Sequence, residues 1–197
     1  MNIEKAGALL AKPARFCSKR RLASCARIKD EARRMQGYAA ELAFSYALSG
    51  DALLPPVYRY EESGRPVTDK GFVSLAHSGG FAVCALSSFP VGVDIEAPRT
   101  ISQRAVSRIL SAAEREEFAI SKDESYPLRR FVMKEAFFKM TGAGLSGGLS
   151  RVTGGFPTVF LDGAPAGFAL PFTGEGYTGS VVSSVPFEAE IILFPSH

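Results

Sequence analysis

The run Val91-Gly92-Val93-Asp94-Ile95-Glu96 constrains this chain more than any other stretch. β-Branched residues at alternate positions specify an extended strand, in which successive side chains point to opposite faces. Val91, Val93 and Ile95 form one apolar face, and that face demands a core to pack against. Gly92, Asp94 and Glu96 form the other, two carboxylates beside a glycine that leaves room for a ligand. Like charges this close repel unless a cation, a proton or solvent relieves them. An edge strand with one wet face explains the same pattern, so the strand alone does not decide between scaffold and site.

The segments around it mix helices and strands. Residues 28–48 read as a helix, with Asp30 as its cap and Met35, Ala39, Leu42, Ala43 and Tyr46 spaced as one stripe. Before it lie an unpatterned segment to Phe16 and the basic run Lys19-Arg20-Arg21. Pro55-Pro56 stops the helix, and Val57–Tyr60 suits a short strand. Glu61–Pro66 reads as a turn. Phe72–Ala76 and Phe81–Ser87 are strand-like, with His77-Ser78-Gly79-Gly80 as the bend between them. Helices are expected over Ser102–Leu110, over Ser111–Ile120 with Ser111 and Glu114 as a capping box, and over Leu128–Met140 behind Pro127. Gly142 and Gly144 end the last of these. Short β-like runs follow at Val159–Leu161, Tyr177–Val182 and Glu190–Phe194. Helices and strands do not alternate strictly, so an α+β fold is expected rather than a doubly wound sheet.

Composition excludes some chemistry. Two histidines in 197 residues leave no basis for a histidine-rich metal centre. Three cysteines, Cys17, Cys25 and Cys84, form no C-x-x-C pair, and their odd number argues against a disulfide framework, so a cytoplasmic location is expected. No apolar run approaches the roughly 18 residues of a membrane span, and Ala6–Ala11 is too short for a signal sequence. Charge is uneven. Through Arg34 there are ten lysines and arginines against three acidic residues, a net of +7, while the remainder carries thirteen against seventeen, a net of −4. Such an asymmetry suits an anionic partner, whether nucleic acid, a phosphorylated cofactor or an acidic protein, and equally a solvated helix face.

The helix carrying Phe131-Val-Met-Lys-Glu-Ala-Phe-Phe-Lys139 adds a third carboxylate. At about 100° per residue, Phe131, Glu135, Phe138 and Lys139 share one broad side. Glu135 and Lys139 stand in the favourable i,i+4 order, and an exposed salt bridge there contributes only about 0.2–0.5 kcal/mol. Glu135 is flanked by phenylalanines, however, and a carboxylate there is costly to ionise without compensation. A hard ion shared with Asp94 and Glu96 would supply it. Magnesium, held by a few carboxylates together with substrate phosphates, fits that donor set.

Gly92-Val-Asp-Ile-Glu96 followed by Lys134-Glu-Ala-Phe-Phe-Lys139 resembles the paired signature of the 4'-phosphopantetheinyl transferases, in the surfactin-type branch. Gly64-Arg65-Pro66, Ser74-Leu-Ala-His77-Ser-Gly, Arg33…Gly37…Leu42 and Gly144-Leu145-Ser146 extend the similarity over residues 18–150. Phe131 stands where the family often has Trp, Val132 where it has Ser, Thr or Cys, and Ala76 where it often has Ser. The resemblance implies Mg²⁺-dependent transfer of the 4'-phosphopantetheine arm of coenzyme A, the co-substrate, to a serine of an apo acyl or peptidyl carrier protein, with release of 3',5'-ADP. It also implies the site. Asp94, Glu96 and Glu135 would hold Mg²⁺ against the coenzyme A pyrophosphate. Glu135 would take the serine proton, directly or through water, and Lys139 would neutralise the breaking pyrophosphate. Lys19, Arg21, Arg65, Ala76, His77 and Asp94 would contact coenzyme A.

The same resemblance implies two similar α+β halves fused as a pseudo-dimer, residues 1–97 and 98–197, with the cofactor cleft between them and a monomer as the working form. A binding module that kept the fold and lost turnover is the first alternative, and it leaves the full set Asp94, Glu96, Glu135 and Lys139 without a use. A nucleic-acid-binding protein is the second. Its basic run carries no interleaved aromatics for base stacking, so neither nucleic acid nor a membrane is expected as a partner.

Overall fold

In the computed structural model, which describes residues 1–50, 53–63, 65–144 and 148–194, helices α1 (Gly7–Leu10), α2 (Lys19–Ala26) and α3 (Glu31–Ser49) come first. Strands β1 (Arg59–Tyr60), β2 (Pro66–Thr68), β3 (Gly71–Ser78) and β4 (Phe81–Ser87) follow and form one antiparallel sheet in that order. Then come β5 (Val91–Glu96), the helices α4 (Gln103–Ile109), α5 (Ala112–Ser121) and α6 (Tyr126–Thr141), and strands β6 (Val152–Gly154), β7 (Thr158–Leu161), β8 (Ala164–Gly174) and β9 (Tyr177–Ser183). The second sheet is also antiparallel, in the order β5-β9-β8-β7-β6. The fold is α+β.

Local chemistry sets the helix ends. Asp30 accepts from Arg33 N at 2.8 Å and starts α3. Ser111 and Glu114 form the expected capping box at the start of α5. Pro127 sits in the first turn of α6, where its missing N–H costs nothing, and Gly142 closes that helix at φ 72°. In the first sheet, α3 buries Ala39, Ala40 and Leu42 against Ala82 and the N-terminal Leu10 and Phe16. In the second, α6 buries Ala136, Phe137 and Met140 against Val159, Ala169 and Val182. Truncating a fully buried phenylalanine such as Phe137 costs about 3–5 kcal/mol.

The sheets meet along β3 and β5. Val93 N donates to Ser74 Oγ at 3.0 Å and Ala97 N to Ser78 Oγ at 3.1 Å. Val93 and Ile95 pack with Ala76 in a core shared by both sheets. β5 is an edge strand by hydrogen bonding, yet Val91 through Ile95 are all buried. Its Gly92 does not leave room for a ligand, as the sequence suggested. A Cβ there would lie 1.9 Å from Ala136 O, so the glycine admits the backbone of α6.

Other expectations change as well. The bend expected at His77–Gly80 is shorter, because β3 runs on through Ser78 and pairs it with Phe81. Pro165, Gly167 and Pro171 are of types that favour turns, yet they lie inside β8, an eleven-residue strand not expected from the sequence, whose pairing with β7 and β9 absorbs them. The strand expected at Glu190–Phe194 does not form. A strand needs a hydrogen-bonding neighbour, and this segment instead crosses to the first half, where the Phe194 ring meets Tyr46 at 4.9 Å. The segment before Phe16 is not featureless, since Asn2 bridges to Phe81 beside the short helix α1. No helix among the described residues is long and apolar enough to cross a membrane.

Candidate active site

Glu135 and Lys139 lie one turn apart on α6, and the close approach of that helix to Gly92 brings them to β5. They line a cavity of about 370 Å³ with Arg21, Tyr58, Arg65 and Phe138. Lys139 Nζ donates to Asp94 Oδ1 at 2.7 Å, Val93 O at 3.1 Å and Leu75 O at 3.4 Å. One ammonium thereby ties α6 to both sheets. Among the described residues no salt bridge joins Glu135 to Lys139, so the i,i+4 pair that their spacing suits does not form. Asp94 is the more enclosed acceptor, and opposite charges attract more strongly where solvent screens them less.

The carboxylates here are short of cations. Burial raises the pKa of Asp94; Lys139 opposes that rise and Glu96 adds to it. Asp94 Oδ2 is buried with no hydrogen-bond partner. Burial, followed by the charge of Asp94, pushes Glu135 up to about 7, with Lys139 opposing and Glu96 reinforcing. Among the described residues no group of three or more His, Cys, Asp or Glu side chains is arranged as a metal site. The donors nonetheless fit a hard divalent ion in kind. All are carboxylate oxygens, one is orphaned, and burial together with neighbouring negative charge raises both Asp94 and Glu135 above the ordinary carboxylate range.

The remaining candidates fall into several settings. Glu96 Oε2 accepts from Ser78 Oγ at 2.6 Å, and its Oε1 lies 3.3 Å from Arg99. His77 is exposed on β3, and its imidazole is lowered first by desolvation and then by Lys139 and Arg21, which puts both cations near it. Arg21 Nε donates to Glu41 Oε2 at 3.1 Å. Arg65 donates to Glu61 through Nε at 2.9 Å and Nη2 at 2.6 Å, and through Nη1 to Met140 O at the end of α6. Lys19 is exposed on α2 and borders a separate groove beside Pro55 and Tyr60. The side chain of Ala76, 5% exposed, packs in the core against Val93 and Ile95. Gly64, Leu145 and Ser146 lie outside the described residues.

Residues 90–172, which carry β5, α6 and most of the second sheet, match the family described as the 4'-phosphopantetheinyl transferase superfamily. Over these residues the chain is similar to this superfamily. Two relatives bear out the surfactin-type branch. A 4'-phosphopantetheinyl transferase psf-1 of Bacillus pumilus is 36% identical over 103 residues, 49% of this chain and 44% of that one. The 4'-phosphopantetheinyl transferase Sfp of Bacillus subtilis (strain 168) is 38% identical over 93 residues, 44% and 41% of the two chains. The match thus spans less than half the length of each relative. The crystal structure of Thermotoga maritima holo-[acyl-carrier-protein] synthase aligns at 23% identity over 48% of this chain and 61% of that one, with a TM-score of 0.37.

The superfamily motifs do not lead to two buried charge clusters that the structure reveals. Lys134, fully buried, donates to Glu114 Oε2 at 2.5 Å and Ile109 O at 2.7 Å, locking the α4–α5 corner onto α6. Glu41, also fully buried, accepts from Ser18, Arg21 and Tyr58. Glu41 had a signal in the sequence, being the only charged residue between Met35 and Gly50. A lone charge inside an apolar helical run must be either exposed or fully partnered. Lys134 had none beyond its place in the motif, because its partner lies on another helix.

Proposed function

We propose that this chain transfers the 4'-phosphopantetheine group of coenzyme A to a serine of an apo acyl or peptidyl carrier protein. The serine oxygen bonds to the phosphorus next to the pantetheine arm, the pyrophosphate P–O bond breaks, and 3',5'-ADP leaves. The names of the relatives support this reading. The observation that carries it is the cavity wall itself, where a carboxyl poised at about 7, Glu135, stands beside Lys139 and faces a space that Arg21 and Arg65 also line.

Glu135 takes the serine proton, a role that needs a base with a pKa near the working pH. Lys139 neutralises charge that builds on the bridging and leaving oxygens. Arg21, Arg65 and His77 hold coenzyme A phosphates, with Lys19 at the outer edge. Asp94, Glu96 and Glu135 would hold Mg²⁺, which supplies Lewis-acid neutralisation of the pyrophosphate when bound. Two halves, residues 1–97 and 98–197, related as a pseudo-dimer, would form a cytoplasmic monomer. A long helix packed on an antiparallel sheet occurs twice, which supports two halves, with β5 of the first half completing the second sheet; the three free cysteines support the compartment.

The test is incubation with coenzyme A, Mg²⁺ and a panel of apo carrier proteins, read by intact mass. A carrier that gains one phosphopantetheine, and does not gain it when its acceptor serine is alanine, is the expected result. Binding of coenzyme A with no mass gain on any carrier would overturn the reading in favour of a binding module.

A further inference from the structure

Glu41 is a carboxylate with 0% exposure in the middle of α3, on no wall of the cavity. Ionised, it would be untenable there without donors, and it has them. Ser18 N reaches Oε1 at 3.2 Å and Ser18 Oγ at 2.6 Å. Tyr58 OH lies 3.2 Å from Oε1 and 3.4 Å from Oε2, and Arg21 Nε donates to Oε2 at 3.1 Å. These donors come from the start of α2 and the approach to β1. One carboxylate on a third element therefore fixes both.

Two of the three partners, Arg21 and Tyr58, line the cavity. Arg21 is held twice. Its backbone N donates to Ser18 Oγ at 3.2 Å, and its side chain reaches Glu41 through Nε. Glu41 does not use the two terminal nitrogens, the ones that make paired bonds to phosphate oxygens. An arginine held at Nε has already lost most of the side-chain freedom that ligand binding would otherwise cost.

Resting on the functional reading above, we propose that Glu41 is a positioning residue for coenzyme A. From behind the cavity wall it orients Arg21 and Tyr58, so that a phosphate of the nucleotide meets a preset guanidinium fork. It touches no substrate atom itself and acts through Arg21.

A double-mutant cycle separates this role from simple support of the fold. Coenzyme A affinity is measured by calorimetry on the full chain for wild type, Glu41→Gln, Arg21→Ala and the double variant, with melting temperatures alongside. Glu41→Gln keeps the shape and loses the charge that orients Arg21, and a weakening of about 10- to 100-fold is expected, within the range of a charge-assisted hydrogen bond. In the Arg21→Ala background the same change should weaken binding by less than about twofold, because the residue it acts through is gone. kcat at saturating coenzyme A should hold while KM rises. Ser18→Ala, which leaves the buried charge pair in place, repeats the cycle should Glu41→Gln fail to fold. Its loss of affinity should also vanish without Arg21. Equal losses in both backgrounds, or a lower melting temperature with unchanged affinity, would make Glu41 a fold residue only and leave the transferase reading standing. A wild-type chain that does not bind coenzyme A at all would overturn both.

Discussion

Two lysines on α6, Lys134 and Lys139, are five positions apart and do opposite things. Lys134 is 0% exposed, and its partner Glu114 only 4%. Both of its bonds go to the α4–α5 corner, and Arg130 faces the other Glu114 oxygen at 3.7 Å. Lys139 is 33% exposed and its partner Asp94 11%; each pair leaves one buried carboxylate oxygen without a hydrogen bond, Glu114 Oε1 and Asp94 Oδ2, but where Arg130 faces the first, the further charges beside Asp94 are Glu96 and Glu135. A closed pair with each charge answered holds a fold together. An open pair with a surplus of negative charge is unfinished without a ligand. The same helix supplies both because residues five apart face different sides of it.

The largest effect that would sharpen this contrast is on rate. Glu135→Gln keeps the shape and removes the base, and single-turnover transfer to a carrier protein should fall by about 10²–10⁴, the typical contribution of a positioned base. Its melting temperature should not fall. Transfer at the wild-type rate would make the open pair as structural as the closed one.

Next comes stability. Lys134→Met takes away the closest cation of buried Glu114 and leaves it Arg130 at 3.7 Å and the Ser111 N–H, and breaking such a buried pair costs up to about 3–5 kcal/mol in denaturant unfolding. Adding Glu114→Gln, which can still close the capping box, should recover much of that loss. If Lys134→Met instead unfolds at the wild-type denaturant midpoint, burial is a poor guide to which lysine supports the fold.

Lys139→Met reverses the pattern. The chemical step should slow by about 10²-fold, as for loss of one preset charge-stabilising group, with a stability change well below that of Lys134→Met. Rapid-quench kinetics and melting curves on the same samples provide the check. A variant that loses stability and keeps its rate would invert the comparison.

The smallest effect concerns pH in the metal-free protein. The folded pKa of Glu135, about 7, lies above the ordinary carboxylate value of 4.5, so the folded state holds a proton that the unfolded state releases. The contribution is fully present below about 4.5 and is lost as pH rises through about 7. Glu135→Gln should therefore flatten the decline across that window and be more stable than wild type at pH 8 by about 1–2 kcal/mol, after discounting for partial solvent access. Parallel pH–stability curves for the two proteins would refute the shift.

Much of this was legible in the sequence because it is local. Strand alternation placed Asp94 and Glu96 together, helical spacing placed Glu135 beside Lys139, and Asp30, Ser111 and Gly142 marked helix ends through bonds to their own neighbours. The paired motif led to the superfamily. Other features had no local signature. β8 was hidden because Pro165, Gly167 and Pro171 punctuate a strand that its two neighbours hold extended. The segment Glu190–Phe194 has the composition of a strand and no partner. Gly92 offered space, and only the packed helix shows what fills it.

By itself, then, the chain's sequence determined the α+β class, the elements that carry the carboxylates and the superfamily that residues 90–172 resemble. Which charges answer which was decided by the tertiary structure. Lys139 turns to Asp94 rather than to Glu135, Lys134 disappears into the α4–α5 corner, and Glu41 gathers Ser18, Arg21 and Tyr58. The physical reason is the same in each case. Periodicity and capping depend on residues a few positions apart, whereas the strength of a charge pair depends on how much water remains around it, and that is known only when distant elements have closed over it.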